Sequence, residues 1–421
     1  MPVSRRTERH IRLPGLQRPG REAQTPLPRD IKVLVAAAFV IALGYGLVAP
    51  VLPQFAASFD VGVAAASVIV SVFALARLVF APVGGALVGS WGERRVYLTG
   101  LLIVAASTGA CAMAQDYWQL LIFRGLGGLG STMFTVSAMA LILRLAPPNG
   151  RGRVSSLYAG TFLMGGILGP VVGGLLAGFG LRMPFVVYAV ALLVAAAVVA
   201  VLLKKPAPRT ADDGPAPVAM ELREALSDPG YRAAVVSAFA NGWATFGVRM
   251  ALIPLFAAAV LGAGPATAGL ALAVFAVGNA MALTFSGRLA DTVGRRPLVV
   301  AGLTVAGLAI AAIGFIDSVP AFVAASVIAG FGSGLLGPAQ QAAVGDIIGN
   351  DRTGGKVLAV FQMGTDAGAI IGPVLAGMLA DRLNYAWAFG VTGAVMLASA
   401  LLWLVFGRET LMKPVKEAAA D

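Results

Sequence analysis

The sequence holds one histidine, His10, and one cysteine, Cys111. An intrachain disulfide is excluded, and no His/Cys cluster can assemble a metal site. Charge is scarce as well: Asp, Glu, Lys and Arg make up 12% of the 421 residues, about half the share of a soluble domain. A phosphate loop is missing too. The nearest stretch, Gly349 to Lys356, has Asn350 where the first glycine is required and Val357 after the lysine, so no nucleotide cradle forms there. Enzyme chemistry and a resident cofactor are therefore not expected, and any work the chain does draws on an external gradient.

What is abundant is apolar surface. Hydrophobic residues are 58% of the chain and mean hydropathy is +0.85. About twelve apolar runs reach the ~20 residues that cross a bilayer. They lie near 31–57, 64–88, 96–114, 119–143, 155–179, 184–203, 233–258, 265–286, 297–316, 320–344, 357–380 and 385–406. The expected fold class is an all-α membrane protein of twelve transmembrane helices, with the lipid bilayer as its solvent.

The net charge of +11 reports topology rather than affinity for nucleic acid. With a cytoplasmic amino terminus, 26 of the 31 Lys and Arg fall in cytoplasmic tails and loops. Arg182 and Arg382 lie outside, and Arg77, Arg124 and Arg249 lie within spans. The positive-inside rule then puts both termini in the cytoplasm of a multi-pass cell-membrane protein. The tail 1–30, with Arg5, Arg6, Arg9, Arg12, Arg18 and Arg21, has no apolar core, so it reads as a basic tail near anionic lipid and not as a cleavable signal.

One device occurs twice. GGILGPVVGG carries Gly165, Gly169, Pro170, Gly173 and Gly174, and GAIIGPVLAG carries Gly368, Gly372 and Pro373. Such a run is costly for a helix in water, whereas in a bilayer small residues let helix backbones approach closely. The duplication divides the chain into a six-helix half at 31–203 and another at 233–406. Between them, 204–232 is a linker with Pro206, Pro208, Pro215 and Pro217, and 407–421 is a second tail. A short amphipathic helix is expected around Met220 to Leu226. Paired halves of this kind belong to carriers that rock around a midplane site.

Five stretches resemble motifs of the drug:proton antiporters of the major facilitator superfamily. LGYGLVAPVLP, Leu43 to Pro53, is similar to the family's first span, and Pro50 and Pro53 are expected to bend it. GALVGSWGERRVYL keeps Gly85, Gly92, Arg94 and Arg95 of the loop after span 2, with Gly89 in place of the family's Asp. GRLADTVGRRPL is the fuller second copy, with Gly287, Asp291, Gly294, Arg295 and Arg296. LIFRGLGGLGS resembles the span 4 motif through Arg124, Gly128 and Gly130, with Gly127 replacing the usual Gln. The Gly-Pro run of span 5 matches the antiporter motif.

The resemblance implies a major facilitator fold, a duplicated cytoplasmic latch, and secondary transport of a small-molecule substrate by alternating access. It implies proton-coupled export of amphipathic molecules or drugs, proton handling by Arg124, and a protein acting as a monomer. A sugar or metabolite facilitator or symporter of the same fold is the alternative, and a non-transporting receptor a weaker one.

Polar residues inside spans mark the candidate site. Arg124, Gly128, Ser131 and Thr135 share one face of span 4, and Ser237, Asn241, Thr245 and Arg249 recur at intervals of four in span 7. Asn279, aligned with Arg77 in the repeat, and Gln340 and Gln362 are further candidates for lining a cavity. Asp366 is the acid placed deepest in a span. With span 2 facing span 11, as the resemblance implies, Arg77 and Asp366 have similar depth, and a contact between them is expected to act as a charge switch released by protonation or substrate.

Overall fold

The computed structural model of the chain describes residues 28–145, 151–203, 220–349, 352 and 355–411. The basic tail before residue 28, the prolines of the linker and residues 412–421 lie outside the described residues. Among those described, twelve helices are long and apolar enough to cross a membrane. In chain order they are α1 (Arg29–Val48, resuming as Leu52–Ala57), α2 (Val63–Trp91), α3 (Glu93–Met113), α4 (Tyr117–Leu145), α5 (Arg151–Leu176) and α6 (Met183–Leu202). Then follow α7 (Pro229–Asn241, a π-helical turn Gly242–Val248, then Arg249–Ala259), α8 (Pro265–Thr292), α9 (Arg295–Ile313), α10 (Val319–Ile348), α11 (Gly355–Arg382) and α12 (Tyr385–Phe406). A short helix, Leu222–Ser227, precedes α7, close to the expected amphipathic segment.

Proline does more to α1 than bend it. The helix stops at Val48 and restarts at Leu52, with Pro53 in its new first turn, where the missing N–H costs no hydrogen bond. In α7 the irregularity is a π turn: the Arg249 N–H reaches back five residues to the Ala244 carbonyl, a feature that often marks functional sites.

The buried core divides in two. One cluster is drawn from residues 31–203 with Leu255, the other from residues 220–403 with Ala49. Within the first half α1 packs on α5 and α6, and α4 on α2 and α3; within the second, α7 packs on α11 and α12, and α10 on α8 and α9. The two halves meet along α2 against α11 and α5 against α8.

The Gly-Pro run explains both kinds of packing. A Cβ at Gly169 would stand 2.6 Å from the Gly46 Cα, and one at Gly46 would stand 2.9 Å from the Pro170 ring. The second half repeats this contact: a Cβ at Gly247 would stand 2.8 Å from the Pro373 ring. Gly173 faces the Leu47 carbonyl, and Gly368 and Gly372 face the Trp243 backbone. The last glycine of each run instead crosses to the other half. Gly174 abuts Ala266 at the start of α8, and Gly377 abuts Ala64 at the start of α2.

These crossings lie at the end of the bundle remote from the termini. There Asp381 accepts the backbone N–H groups of Val63 and Ala64, and the Gln54 amide donates to the Pro254 carbonyl. Further in, the Ser71 hydroxyl donates to the Ile370 carbonyl. The halves are thus fastened to each other at the remote end.

At the other end the two copies of the loop motif work within their own halves. Each turns on a glycine with positive φ, Gly92 at 82° and Gly294 at 123°, a backbone shape that glycine adopts at little cost. Arg94 Nε then donates to the Leu203 carbonyl at 2.9 Å, and Arg296 Nε donates to the Trp403 carbonyl at 3.1 Å. Each arginine caps the C-terminal end of the sixth helix of its half, where cations are favoured. Arg295 pairs with Asp291 and Asp346, both at 3.0 Å. In the contacts among the described residues, Arg94, Arg295 and Arg296 fasten helix ends inside their own halves.

Candidate functional site

The register of α2 against α11 is antiparallel and fixed by close contacts. Ala64 lies opposite Asp381, Ser67 opposite Gly377 and Ser71 opposite Ile370. Continuing inward, this register sets Arg77 opposite the turn that carries Asp366. Arg77 and Asp366 nevertheless form no ion pair within 4.0 Å. Asp366 instead accepts a 3.3 Å hydrogen bond from the Gln362 amide one turn earlier. Arg77 Nε is buried without a hydrogen-bond partner. The expected direct contact is therefore unmade in this conformation.

Arg124 is held one helical turn further out along α2. Gly128 makes this possible: a Cβ there would stand 2.6 Å from the Phe73 carbonyl and 2.8 Å from the Ala76 Cβ, so only glycine lets α4 lie against α2 this closely. Thr132 then donates to the Arg77 carbonyl at 3.1 Å. The result is an Arg124 guanidinium 4.0 Å from the centre of the Phe73 ring. It is 8% exposed, and its Nε has no partner. Gly127 has no room for the longer side chain of the motif, because a Cβ there would stand 2.6 Å from the Ser107 hydroxyl.

Arg249 in the second half is seated in the same way. Its guanidinium lies 4.0 Å from the centre of the Phe275 ring, and its Nε donates to the Thr245 carbonyl at 3.1 Å. Phe73 and Phe275 are 202 positions apart, the displacement that relates the two loop motifs, so the repeat supplies one aromatic platform per half. Only the helix that delivers the arginine differs: α4 in one half, α7 in the other. Tyr45 on α1 packs beside the first platform, its ring centroid 6.2 Å from that of Phe73.

The other polar candidates divide. Thr245 bonds to Asn241 at 3.0 Å and Ser333 at 3.3 Å, and Thr135 donates to the Ser131 carbonyl. Asn241, Asn279 and Thr135 are half-buried, Ser131 is buried, and Gln362 is exposed. Gln340 departs from the expectation that it lines a cavity. It is 3% exposed and donates to the Ser237 hydroxyl at 2.6 Å, which also accepts from Trp403 Nε1 at 2.9 Å. Ser237 and Gln340 therefore tie α7, α10 and α12 together inside the second half, because a neighbouring helix satisfies each of them.

Among the described residues, Arg77, Arg124, Arg249 and Asp366 form no ion pair within 4.0 Å. Phe73, Phe275 and Tyr45 were not singled out by the sequence, since an aromatic residue in an apolar span looks like packing. The 202-residue displacement that pairs Phe73 with Phe275 is the signal that finds those two rings.

Comparison with known proteins places this geometry. The model of the Major Facilitator Superfamily matches residues 34–248 and, separately, 234–420. Multidrug resistance protein 2 of Bacillus subtilis (strain 168) is 25% identical over 398 residues, covering 89% of this chain and 94% of that protein. The quinolone resistance protein NorA of Staphylococcus aureus (strain Mu50 / ATCC 700699) is 30% identical over 157 residues, 37% of this chain and 40% of that protein. Among solved structures, a bacterial homologue of the human lysosomal transporter Spinster, in an inward-facing and occupied conformation, superposes with a TM-score of 0.75 at 18% identity. The superposition covers 91% of this chain and 98% of that one, and at that identity the likeness is one of fold.

Proposed function

The chain belongs to the Major Facilitator Superfamily, a family of membrane transporters, and we propose that within it the protein is a proton-coupled exporter of small amphipathic molecules such as drugs. The names of its relatives, multidrug resistance and quinolone resistance, support export. The placement of Asp366 opposite Arg77, on helices from different halves, supports coupling and is the single observation that carries it. The proton gradient is the energy source, with no cofactor, and the protein acts as a monomer. Domains 31–203 and 233–406 rock against each other, joined by the linker 204–232. The tails 1–30 and 407–421 and both termini lie in the cytoplasm of a plasma-membrane protein.

The mechanism follows from the cost of intramembrane charge. A charged Asp366 compensates Arg77 across the boundary and draws α2 and α11 together at that level. A proton taken up by Asp366 removes that attraction, and substrate bound in the central cavity competes for the same carboxylate. Proton and substrate then occupy the site in turn, which makes the exchange obligatory.

Proton movement by the purified protein in liposomes tests this, with a fluoroquinolone, ethidium and a sugar added in turn. Substrate-evoked proton movement is expected for the drugs, and none with Asp366→Asn. Flux of any of these without proton movement overturns the coupling and leaves a facilitator.

A further inference from the structure

A groove of about 840 Å³ is cut into the remote end of the first half. Its walls come from the turn between α1 and α2, the turn between α3 and α4, and the opening turns of α2 and α4. It lies on a different face of α2 from the contact with α11. Ala64 and Ser67 face Asp381 and Gly377, whereas Ala65 and Val68, each one residue on, line the groove. One residue along a helix is a rotation of about 100°, so the groove is separate from the seam between the halves.

The lining is ordered by polarity along the direction of the spans. Outermost are two exposed carboxylates, Asp60 and Asp116, in the turns that precede α2 and α4. Neither has a cation within 4.0 Å among the described residues. Asp116 accepts the Gln119 N–H at 2.9 Å as a cap of α4. The neighbouring Arg182 is engaged elsewhere, donating to the Ala114 carbonyl at 2.9 Å with its guanidinium 5.7 Å from the centre of the Phe55 ring. Next come Tyr117 and Trp118, whose rings meet edge to face with centres 5.4 Å apart. The Tyr117 hydroxyl donates to the Ala65 carbonyl at 2.9 Å, which holds α4 to α2 here. Innermost are Val68 and Leu121, about one turn into their helices.

An aromatic girdle at a span end accounts for Tyr117 and Trp118 by themselves. It does not account for carboxylates above the rings and an aliphatic floor below them in one groove. That order complements an amphiphile with a cationic head: the carboxylates attract the charge, the ring faces attract it further, and the floor takes an apolar chain. Trp118 also heads an exposed apolar stripe on α4, with Ile122 and Leu126 following at intervals of four. A stripe of this kind faces hydrocarbon, which sets the bilayer at the edge of the groove and makes a lipid its occupant.

We propose that the groove binds a membrane lipid with an ammonium headgroup. The ammonium sits between Asp60 and Asp116 against the Trp118 ring, and the start of an acyl chain lies over Val68 and Leu121. The Gln115 side chain, at the same rim, supplies N–H groups for the lipid phosphate. The site makes no use of Asp366 and is independent of the transported substrate.

Lipid retention by the purified full-length protein tests this. Phosphatidylethanolamine, phosphatidylcholine and phosphatidylglycerol with the same chains are offered at equal concentration, and the bound lipid is read by native mass spectrometry. The two ammonium lipids are expected to be retained about fivefold over phosphatidylglycerol. Asp60→Asn combined with Asp116→Asn is expected to erase that preference in a protein that stays monodisperse. Asparagine suits both places, since it keeps a cap on α4 and tolerates the left-handed backbone of Asp60, at φ 58°. Trp118→Ala is expected to reduce the preference and Trp118→Phe to restore part of it.

Equal retention of phosphatidylglycerol, no retention of either ammonium lipid, or a preference that survives in the double Asn variant would overturn the proposal. Displacement of the lipid by ethanolamine or choline without a chain, at equal concentration, would overturn the lipid as occupant and leave a site for soluble amines.

Discussion

Asp381, in the last turn of α11, accepts the backbone N–H of Ala64, in the first turn of α2, at 2.8 Å, and that of Val63 at the same distance. One carboxylate thus caps a helix of the opposite half. It meets two N–H groups that have no partner within their own helix, at the positive end of the helix dipole. The repeat does not copy this bond, because the equivalent position after the first Gly-Pro run is Gly178 and α8 begins with Pro265. At the closed end, the charged group Asp381 fastens α2.

Loss of that cap is expected to favour opening at the remote end. A cap of this kind contributes about 1 kcal/mol, so Asp381→Ala shifts the ratio of closed to open forms about fivefold. Ser67 reports it, being 0% exposed beneath the contact with Gly377. In a Cys111→Ser background, Ser67→Cys should react with a maleimide about five times faster when Asp381→Ala is added. An unchanged rate means that the cap does not hold the closed form.

The Gly-Pro runs make a sharper structural prediction. A side chain at Gly169 meets the backbone of α1 at Gly46, whereas one at Gly160 or Gly178 meets nothing within 4 Å. Gly169→Val is expected to overpack the α1–α5 contact by at least 1–3 kcal/mol and to abolish stable assembly. Gly160→Ala and Gly178→Ala should leave it unchanged. Size-exclusion profiles of the solubilised variants check this, and a monodisperse Gly169→Val protein contradicts the packing.

How much of this was legible beforehand depends on range. The Gly-Pro runs and the twelve helices follow from local composition, because small residues and apolar length carry their own physical meaning in a bilayer. The level of Arg77 and Asp366 follows from helical rise once α2 faces α11. Asp381 did not stand out, since its role is to cap a helix more than 300 positions away, and no local pattern records that. Gln340 misled for the opposite reason: an intramembrane amide looks the same in sequence whether it meets water or a serine on the next helix. Tyr45 and the paired phenylalanines were hidden among apolar neighbours until the arginines were seen to rest on them.

Gln340 allows packing and transport to be separated. Gln340→Leu removes the 2.6 Å bond to Ser237 and leaves the Trp403 bond in place. Interhelical bonds of this kind contribute about 0.6–1.7 kcal/mol in membrane proteins. The melting temperature is therefore expected to fall by a few degrees with the substrate KM unchanged. A raised KM at constant stability would return Gln340 to the cavity.

The two acids that meet Arg295 differ in what their loss should cost. The Arg295 side chain is 10% exposed, so a partner that is itself shielded matters more than one in water. The Asp346 side chain is 31% exposed and also accepts from the Thr410 hydroxyl, whereas that of Asp291, the acid of the loop motif, is 69% exposed. Asp291→Asn removes an exposed pair four residues apart on one helix, which contributes about 0.3–0.5 kcal/mol. Asp346→Asn weakens a charge-assisted bond to a buried guanidinium, worth about 1.5–3 kcal/mol. Thermal denaturation at low and high salt should separate them. Asp291→Asn is expected to lower the midpoint slightly, with the difference vanishing in high salt. Asp346→Asn should lower it several times more, with most of the loss kept in high salt. A larger effect at Asp291 would mean that the motif's acid, and not the end of α10, holds Arg295 in the stable form of the protein.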